Sequence, residues 1–332
     1  MLASARHLLQ TKLTVPPARA ELVSRPRLIE QFNRGLSRPL TLICAPAGFG
    51  KTTLLSEWLD SETGSDMPLA WVSLDEDDND PGRFLTYIIC ALTNVGSFLE
   101  SEDLLSLLQS SQPPPPKAIL TSLISQMEAY PNRLGLVLDD YHLISTPVIH
   151  EAMAFFLDHL PYQMRLVITS REDPPLPLAR LRGRGQLAEI RADDLRFLKE
   201  EAALFLQEAL GLTLTTQQVM DLDARTEGWI AGLQLAALAM KGREDLTGFI
   251  SAFTGSHRFI LDYLTEEVLS RQPEHIQSFL LQTSILNHMC GPLCNVVSGR
   301  SDSLVLLEQI ERDNLFLIPL DDDRRWYRYH HL

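Results

Sequence analysis

Five short apolar runs set at intervals along the first 190 residues constrain this chain more than any other feature: 40–44 (LTLIC), 69–74 (LAWVSL), 134–138 (LGLVL), 166–169 (LVIT) and 187–190 (LAEI). Each is too short for a helix and almost continuously apolar, as strands buried on both faces are. Helical periodicity fills several of the gaps, over 82–92, 117–129 and 150–160. Strands alternating with helices predict a parallel sheet covered on both faces, a three-layer α/β/α unit. After Asp193 the pattern turns wholly helical, over 199–210, 216–225, 230–241 and 246–252. The last stretch holds helical patterns at 260–270, 276–283 and 303–313, then two alternating segments around an acidic turn at 321–324 that read as a β-hairpin. Three helices and a hairpin are the composition of a winged helix. The expected domains are therefore 1–38, an N-terminal segment with one short helix over 28–36; 39–193, the α/β unit; 194–254, all-α; and 255–332, winged helix.

The chain of 332 residues carries 29 Lys and Arg against 43 Asp and Glu, a net charge of −14. That mean field repels a polyanion, so unaided nucleic-acid binding is not expected. Four scattered cysteines, Cys44, Cys90, Cys290 and Cys294, form no CxxC pair and read as reduced thiols, the last two as packing residues. The N-terminus has no apolar core of a signal peptide, and no apolar stretch is long enough for a membrane helix, so a cytoplasmic location and no membrane partner are expected. The acidic run 75–80 (DEDDND) lacks the glycine and the final glutamate of a calcium loop and reads as a solvated loop. Residues 113–116, four prolines, read as a stiff spacer.

Chemistry concentrates after the first strand. There Ala45, Pro46, Ala47, Gly48, Phe49, Gly50, Lys51, Thr52 and Thr53 fit [AG]xxxxGK[ST], between an apolar strand and a helix. In that setting, loop N–H groups and a helix N-terminus converge on phosphate oxygens. Gly48 and Gly50 permit the turn, Lys51 would contact the β- and γ-phosphates of ATP or ADP, and Thr52 would ligate Mg²⁺. The third run ends in LVLDD, which places Asp139 to hold the metal and Asp140 to polarise an attacking water as general base. Arg171 follows the fourth run, where it would face a γ-phosphate; a plain surface arginine is the alternative. His330 and His331 stand beside Trp326, Tyr327 and Tyr329, where a satisfied or exposed histidine is the default and a nucleotide-sensing role the other reading.

Taken in order, TKLTVPPARAELVSRPRL, APAGFGKTTLLSEW, AWVSLDEDDNDPGRFLTYI, VLDDYHLI, ITSRED, RTEGWIAGLQLAA and WYRYHHL resemble the N-terminal part of MalT-like activators of the LuxR family, which are STAND-class P-loop ATPases. The resemblance spans essentially the whole chain. It implies a nucleotide-binding domain, a helical lid and a winged helix closed around ADP at rest, with inducer and ATP releasing a self-associating form that activates transcription. It also implies that residues 22–25 (LVSR) cradle adenine through Val23 and Arg25, making the N-terminal segment part of the base pocket. Arg171 is similar to the family's sensor arginine, and either His330 or His331 to a histidine near the β-phosphate. Members of the family continue into a helical-repeat sensor and a helix-turn-helix domain, so the resemblance implies a fragment or truncated product, with inducer and DNA contacts residing in domains outside this chain. Two functions remain: a regulatory switch that hydrolyses ATP slowly, and a turnover P-loop ATPase or kinase with its own substrate.

Overall fold

The computed structural model describes residues 8–17, 22–61, 67–96, 101–209, 211–240, 242–243 and 245–330. These fall into two compact units. The first comprises described residues of 8–17, 26–44 and 51–191, the second those of 22–25, 45–50 and 192–330.

The first unit is built on β1 (Leu40–Cys44), β2 (Leu69–Ser73), β3 (Leu134–Asp139), β4 (Met164–Ser170) and β5 (Leu187–Arg191). They form one parallel sheet in the order β2-β3-β4-β1-β5. Every residue of β1 and β3 is buried, which is why these segments read as unbroken apolar runs instead of alternating ones. The helices are α1 (Pro26–Gly35), α2 (Lys51–Leu59), α3 (Pro81–Val95), α4 (Ser101–Leu108), α5 (Pro116–Glu128), α6 (Pro147–Asp158) and α7 (Leu178–Gly183). Proline opens α3, α5 and α6, where a missing N–H costs nothing. Of these helices α4 and α7 had no sequence counterpart. On the first helix pair, Trp58 of α2 meets Phe32 of α1 edge to face at 5.0 Å and donates its indole N–H to Asn33 at 2.6 Å. Such a ring pair adds about 1 kcal/mol beyond the area it buries.

The acidic run departs from the solvated loop expected of it. Asp78 is fully buried, paired with Lys12 and at 3.1 Å with Arg83, while Lys12 also reaches Asp75 at 2.9 Å. Glu76–Asn79 is a 3₁₀ turn capped by Asp75, and Asp80 then caps α3 by accepting from the Arg83 amide at 2.7 Å. Carboxylates that bond orphan N–H groups and a buried lysine are structural, and charge counting alone does not separate them from solvated ones.

The second unit holds α8 (Ala192–Leu195), α9 (Lys199–Leu204), α10 (Thr216–Thr226), α11 (Ile230–Met240), α12 (Leu246–Ala252), α13 (Arg258–Leu264), α14 (Glu274–Thr283), α15 (Gly291–Ser298) and α16 (Ser303–Arg312). The helical stretches expected over 199–210 and 260–270 each pass from α-helix into a π-helical turn, Phe205–Ala209 and Thr265–Leu269. The hairpin is present: β6 (Leu317–Pro319) pairs antiparallel with β7 (Tyr327–Tyr329). Ile276, Phe279, Met289, Cys294, Leu306, Leu307, Ile310 and Tyr327 pack into one core beneath it. Cys294 is buried there, consistent with a packing role.

Candidate functional site

In the first unit the end of β3 and the start of α2 bring together the residues expected to hold a metal. Thr52 Oγ1 lies 3.1 and 3.2 Å from the two carboxylate oxygens of Asp139. Thr169, on neighbouring β4, donates to Asp139 Oδ1 at 2.5 Å and accepts from the Asp140 amide at 2.9 Å, fixing both acids from one hydroxyl. A hydroxyl and a carboxylate side by side form a hard-oxygen donor set of the kind Mg²⁺ takes, so the residues fit the metal. Burial raises the pKa of Asp139, and the charge of Asp140 adds to it, against the hydrogen bonds from Thr169 and Thr52. Bound divalent charge would reverse that balance.

Lys51 opens α2 and is buried. Burial lowers its pKa to about 8, opposed by Asp140 and assisted by Arg171. Asp139, Asp140 and Arg171, from two other segments of the chain, all lie close enough for their charges to act on the Lys51 ammonium. Asp140 departs from the strand geometry before it, with φ 60° and ψ 42°, the left-handed region that non-glycine residues rarely enter. Its side chain is 44% exposed, and His142 Nδ1 stands 3.8 Å from it. Thr53 is half-buried on the first turn of the same helix.

Sequence reasoning passed over Asn79. Its side chain donates to Leu143 O at 2.8 Å and accepts from the amides of Ser145 at 2.7 Å and Thr146 at 3.0 Å. It thereby ties down the turn that follows Asp140. Asn at a turn is a common residue, and nothing in its local sequence points 66 residues ahead.

In the second unit, Gly48 and Gly50 adopt φ 77° and 78°, as the loop required. A Cβ on Gly48 would lie 2.5 Å from Ala231 Cβ and 2.9 Å from both Trp229 Nε1 and Tyr263 Oη, so the position excludes every side chain. Pro46, Ala47 and Phe49 are buried, with the Phe49 ring 6.3 Å from Phe316. Arg25 is 2% exposed, donates to Leu195 O at 3.2 Å, stacks over Phe197 at 5.6 Å, and has an Nη 3.4 Å from the place of a Gly50 Cβ. Val23 lies half-buried two residues before it. His330 is buried. Its amide donates to Phe316 O at 2.9 Å, and its ring stands 6.1 Å from Trp229. His331 lies outside the described residues.

Among the described residues no cluster of three or more His, Cys, Asp or Glu forms a further metal site, and no helix is long and apolar enough to cross a membrane.

Residues 265–332 match the MalT winged helix domain family. Over 333 aligned residues the chain is 38% identical to the HTH-type transcriptional regulator MalT of Cronobacter sakazakii, covering 98% of this chain and 36% of that protein. It is 35% identical over 311 residues to the serine/threonine-protein kinase PknK of Mycobacterium tuberculosis, covering 94% of this chain and 28% of that one. The chain thus spans about a third of the length of these relatives. Among solved structures it is similar to the Walker-type ATPase PABY2304 of Pyrococcus abyssi, with TM-score 0.60 and 15% identity, covering 96% of this chain and 97% of that one. A STAND protein with a tetratricopeptide repeat sensor from Pyrococcus horikoshii aligns with TM-score 0.51 and 16% identity, over 96% of this chain and 42% of its own. At such identities the likeness is one of fold. The chain is MalT-like over nearly its whole length, with a P-loop ATPase fold in front and a winged helix behind.

Proposed function

We propose that this MalT-like chain is the nucleotide-binding switch module of a transcriptional regulator, binding ATP and ADP with Mg²⁺ and hydrolysing ATP slowly. The observation that carries the reading is Thr52 against both oxygens of a buried Asp139, with Lys51 in the same field. In this reading Lys51 neutralises β- and γ-phosphate charge, while Thr52 and Asp139 hold the metal, which supplies charge neutralisation at the phosphates. Asp140, turned off the strand and half-exposed, orients and deprotonates the attacking water. Arg171 distinguishes a γ-phosphate from its absence. Val23 and Arg25 receive the base, and His330 approaches the β-phosphate. The loop from Pro46 to Thr53 supplies backbone N–H groups to the phosphates.

In the same proposal the protein is closed with ADP and self-associates with ATP, and any DNA or inducer contact belongs to segments that the longer relatives possess. Hydrolysis then acts as a timer, and the γ-phosphate biases the equilibrium through contacts it makes in one state and not the other.

The test is to denature purified protein and identify released nucleotide by chromatography. Stoichiometric ADP supports a closed resting switch. Protein that releases none and turns over added ATP at an ordinary catalytic rate supports a turnover ATPase or kinase and refutes the switch.

A further inference from the structure

Two consecutive carbonyls of the glycine loop are held by the N-terminus of one helix. Ala47 O accepts from the indole N–H of Trp229 at 3.0 Å, and Gly48 O accepts from the amide of Ala231 at 3.1 Å. Trp229 immediately precedes α11 and is fully buried; Ala231 sits in the helix's first turn, where amides have no intrahelical partner. The donors are thus one side chain and one orphan amide, both spent on the loop.

Peptide planarity turns this into a statement about the opposite side of the loop. No peptide bond among the described residues is cis, so each C=O points opposite to the N–H of the next residue. Drawing the carbonyls of residues 47 and 48 toward Trp229 and Ala231 therefore turns the N–H groups of Gly48 and Phe49 away from them. The missing Cβ of Gly48 is what lets Ala231, Trp229 and Tyr263 come close enough to do this.

The indole is itself fixed. Trp229 meets Phe316 edge to face at 5.2 Å and Tyr263 at 5.5 Å. The turn that delivers it is built from two left-handed residues, Glu227 at φ 49° and Gly228 at φ 69°. A Cβ on Gly228 would approach Phe197 O to 2.7 Å, so that glycine is obligatory. Glu227 is fastened by Arg328 of β7 through two bonds of 2.8 and 2.9 Å.

We infer that Trp229 is a positioning residue for phosphate binding: its indole N–H, with the Ala231 amide, presets the orientation of the loop's amides before nucleotide arrives. Preorganised dipoles cost no rearrangement at the moment of binding, whereas a loop free to rotate its peptides must be ordered by the ligand. The inference rests on the nucleotide reading above and adds a residue outside the loop, whose partner carbonyl is 182 positions away in sequence.

The experiment is calorimetric titration of Mg-ADP into nucleotide-stripped protein. Trp229→Phe keeps a ring and removes the N–H, and should weaken ADP binding about fivefold to tenfold, the loss of one hydrogen bond. Phe279→Leu, a truncation of a buried ring in the core beneath the hairpin, controls for lost packing and should stay within twofold of wild type. Trp229→Phe within twofold of wild type, or Phe279→Leu as weak as Trp229→Phe, overturns the inference. Wild type that fails to bind ADP, or Lys51→Ala that binds like wild type, overturns the nucleotide reading instead. A second measurement needs no variant. By reciprocity of coupling, saturating ADP should slow hydrogen exchange of the wild-type Trp229 indole N–H about tenfold, and an unchanged rate refutes the coupling.

Discussion

Replacing Lys12 by Met tests whether the acidic turn is structural. The ammonium is paired with Asp78, lies 2.9 Å from Asp75 and sits 4.5 Å above the Tyr87 ring, with its side chain only 7% exposed. Methionine fills the same volume without charge. Asp78, fully buried, would keep Arg83 at 3.1 Å and the Asp75 amide at 2.9 Å. Breaking a buried pair on one side costs about 3–5 kcal/mol. The remaining Arg83 bond offsets part of this, and the lost cation–π contact adds about 1 kcal/mol, so a net loss of about 3 kcal/mol is expected. Urea denaturation followed by far-ultraviolet circular dichroism reads it as a lowered midpoint for the first unit. Asp77→Asn, at a side chain 78% exposed, serves as control and should shift stability by less than about 0.5 kcal/mol. A loss below about 1 kcal/mol for Lys12→Met would mean that Asp78 is hydrated after all and that the burial argument fails.

Arg328→Met removes the paired bonds to Glu227, which keeps Arg196 at 3.5 Å, so the second unit should lose about 1–2 kcal/mol by chemical denaturation; no loss would mean the bonds to Arg328 are not needed to hold Glu227. The hydrogen bond from Arg182, then that from Arg191, lowers Glu189 from 4.5 to about 2 against the effect of burial. Its contribution is therefore complete above pH 4.5 and lost as pH falls toward 2, so Glu189→Gln should be less stable than wild type at pH 7 and converge with it near pH 2; a constant difference would refute the assignment. Asp140→Asn should bind ATP and hydrolyse it about 10²-fold or more slowly, and a wild-type rate would require another base. Arg171→Ala should narrow the preference for ATP over ADP in a self-association assay, and wild-type behaviour would reduce it to a surface residue.

The sheet was legible because β1 and β3 are buried on both faces, which leaves a run of apolar residues with no alternation to interpret. The loop was legible because glycine at positive φ, lysine and threonine must sit at fixed spacing on a strand-to-helix turn. α15 was not, since GPLCNVVS is short and half small or polar, and its place depends on Cys294 and the core around it. The roles of Asn79 and Trp229 were also out of reach, because each makes its decisive bond to backbone far along the chain. Lys12 and Asp78 illustrate the same limit for charges: residue type fixes what a group can bond, while burial is decided by tertiary packing.

The long span between Ala47 and Trp229 also has a temporal meaning. A ribosome adding about 5–20 residues per second would need roughly 10–40 s to extend the chain across those 182 positions. For that interval the nascent glycine loop has neither the indole nor the Ala231 amide on its carbonyls. The loop's final shape would thus mature late in synthesis, after all five strands of the sheet have emerged, and the newborn polypeptide would pass through a period in which the loop exists as sequence but not yet as shape.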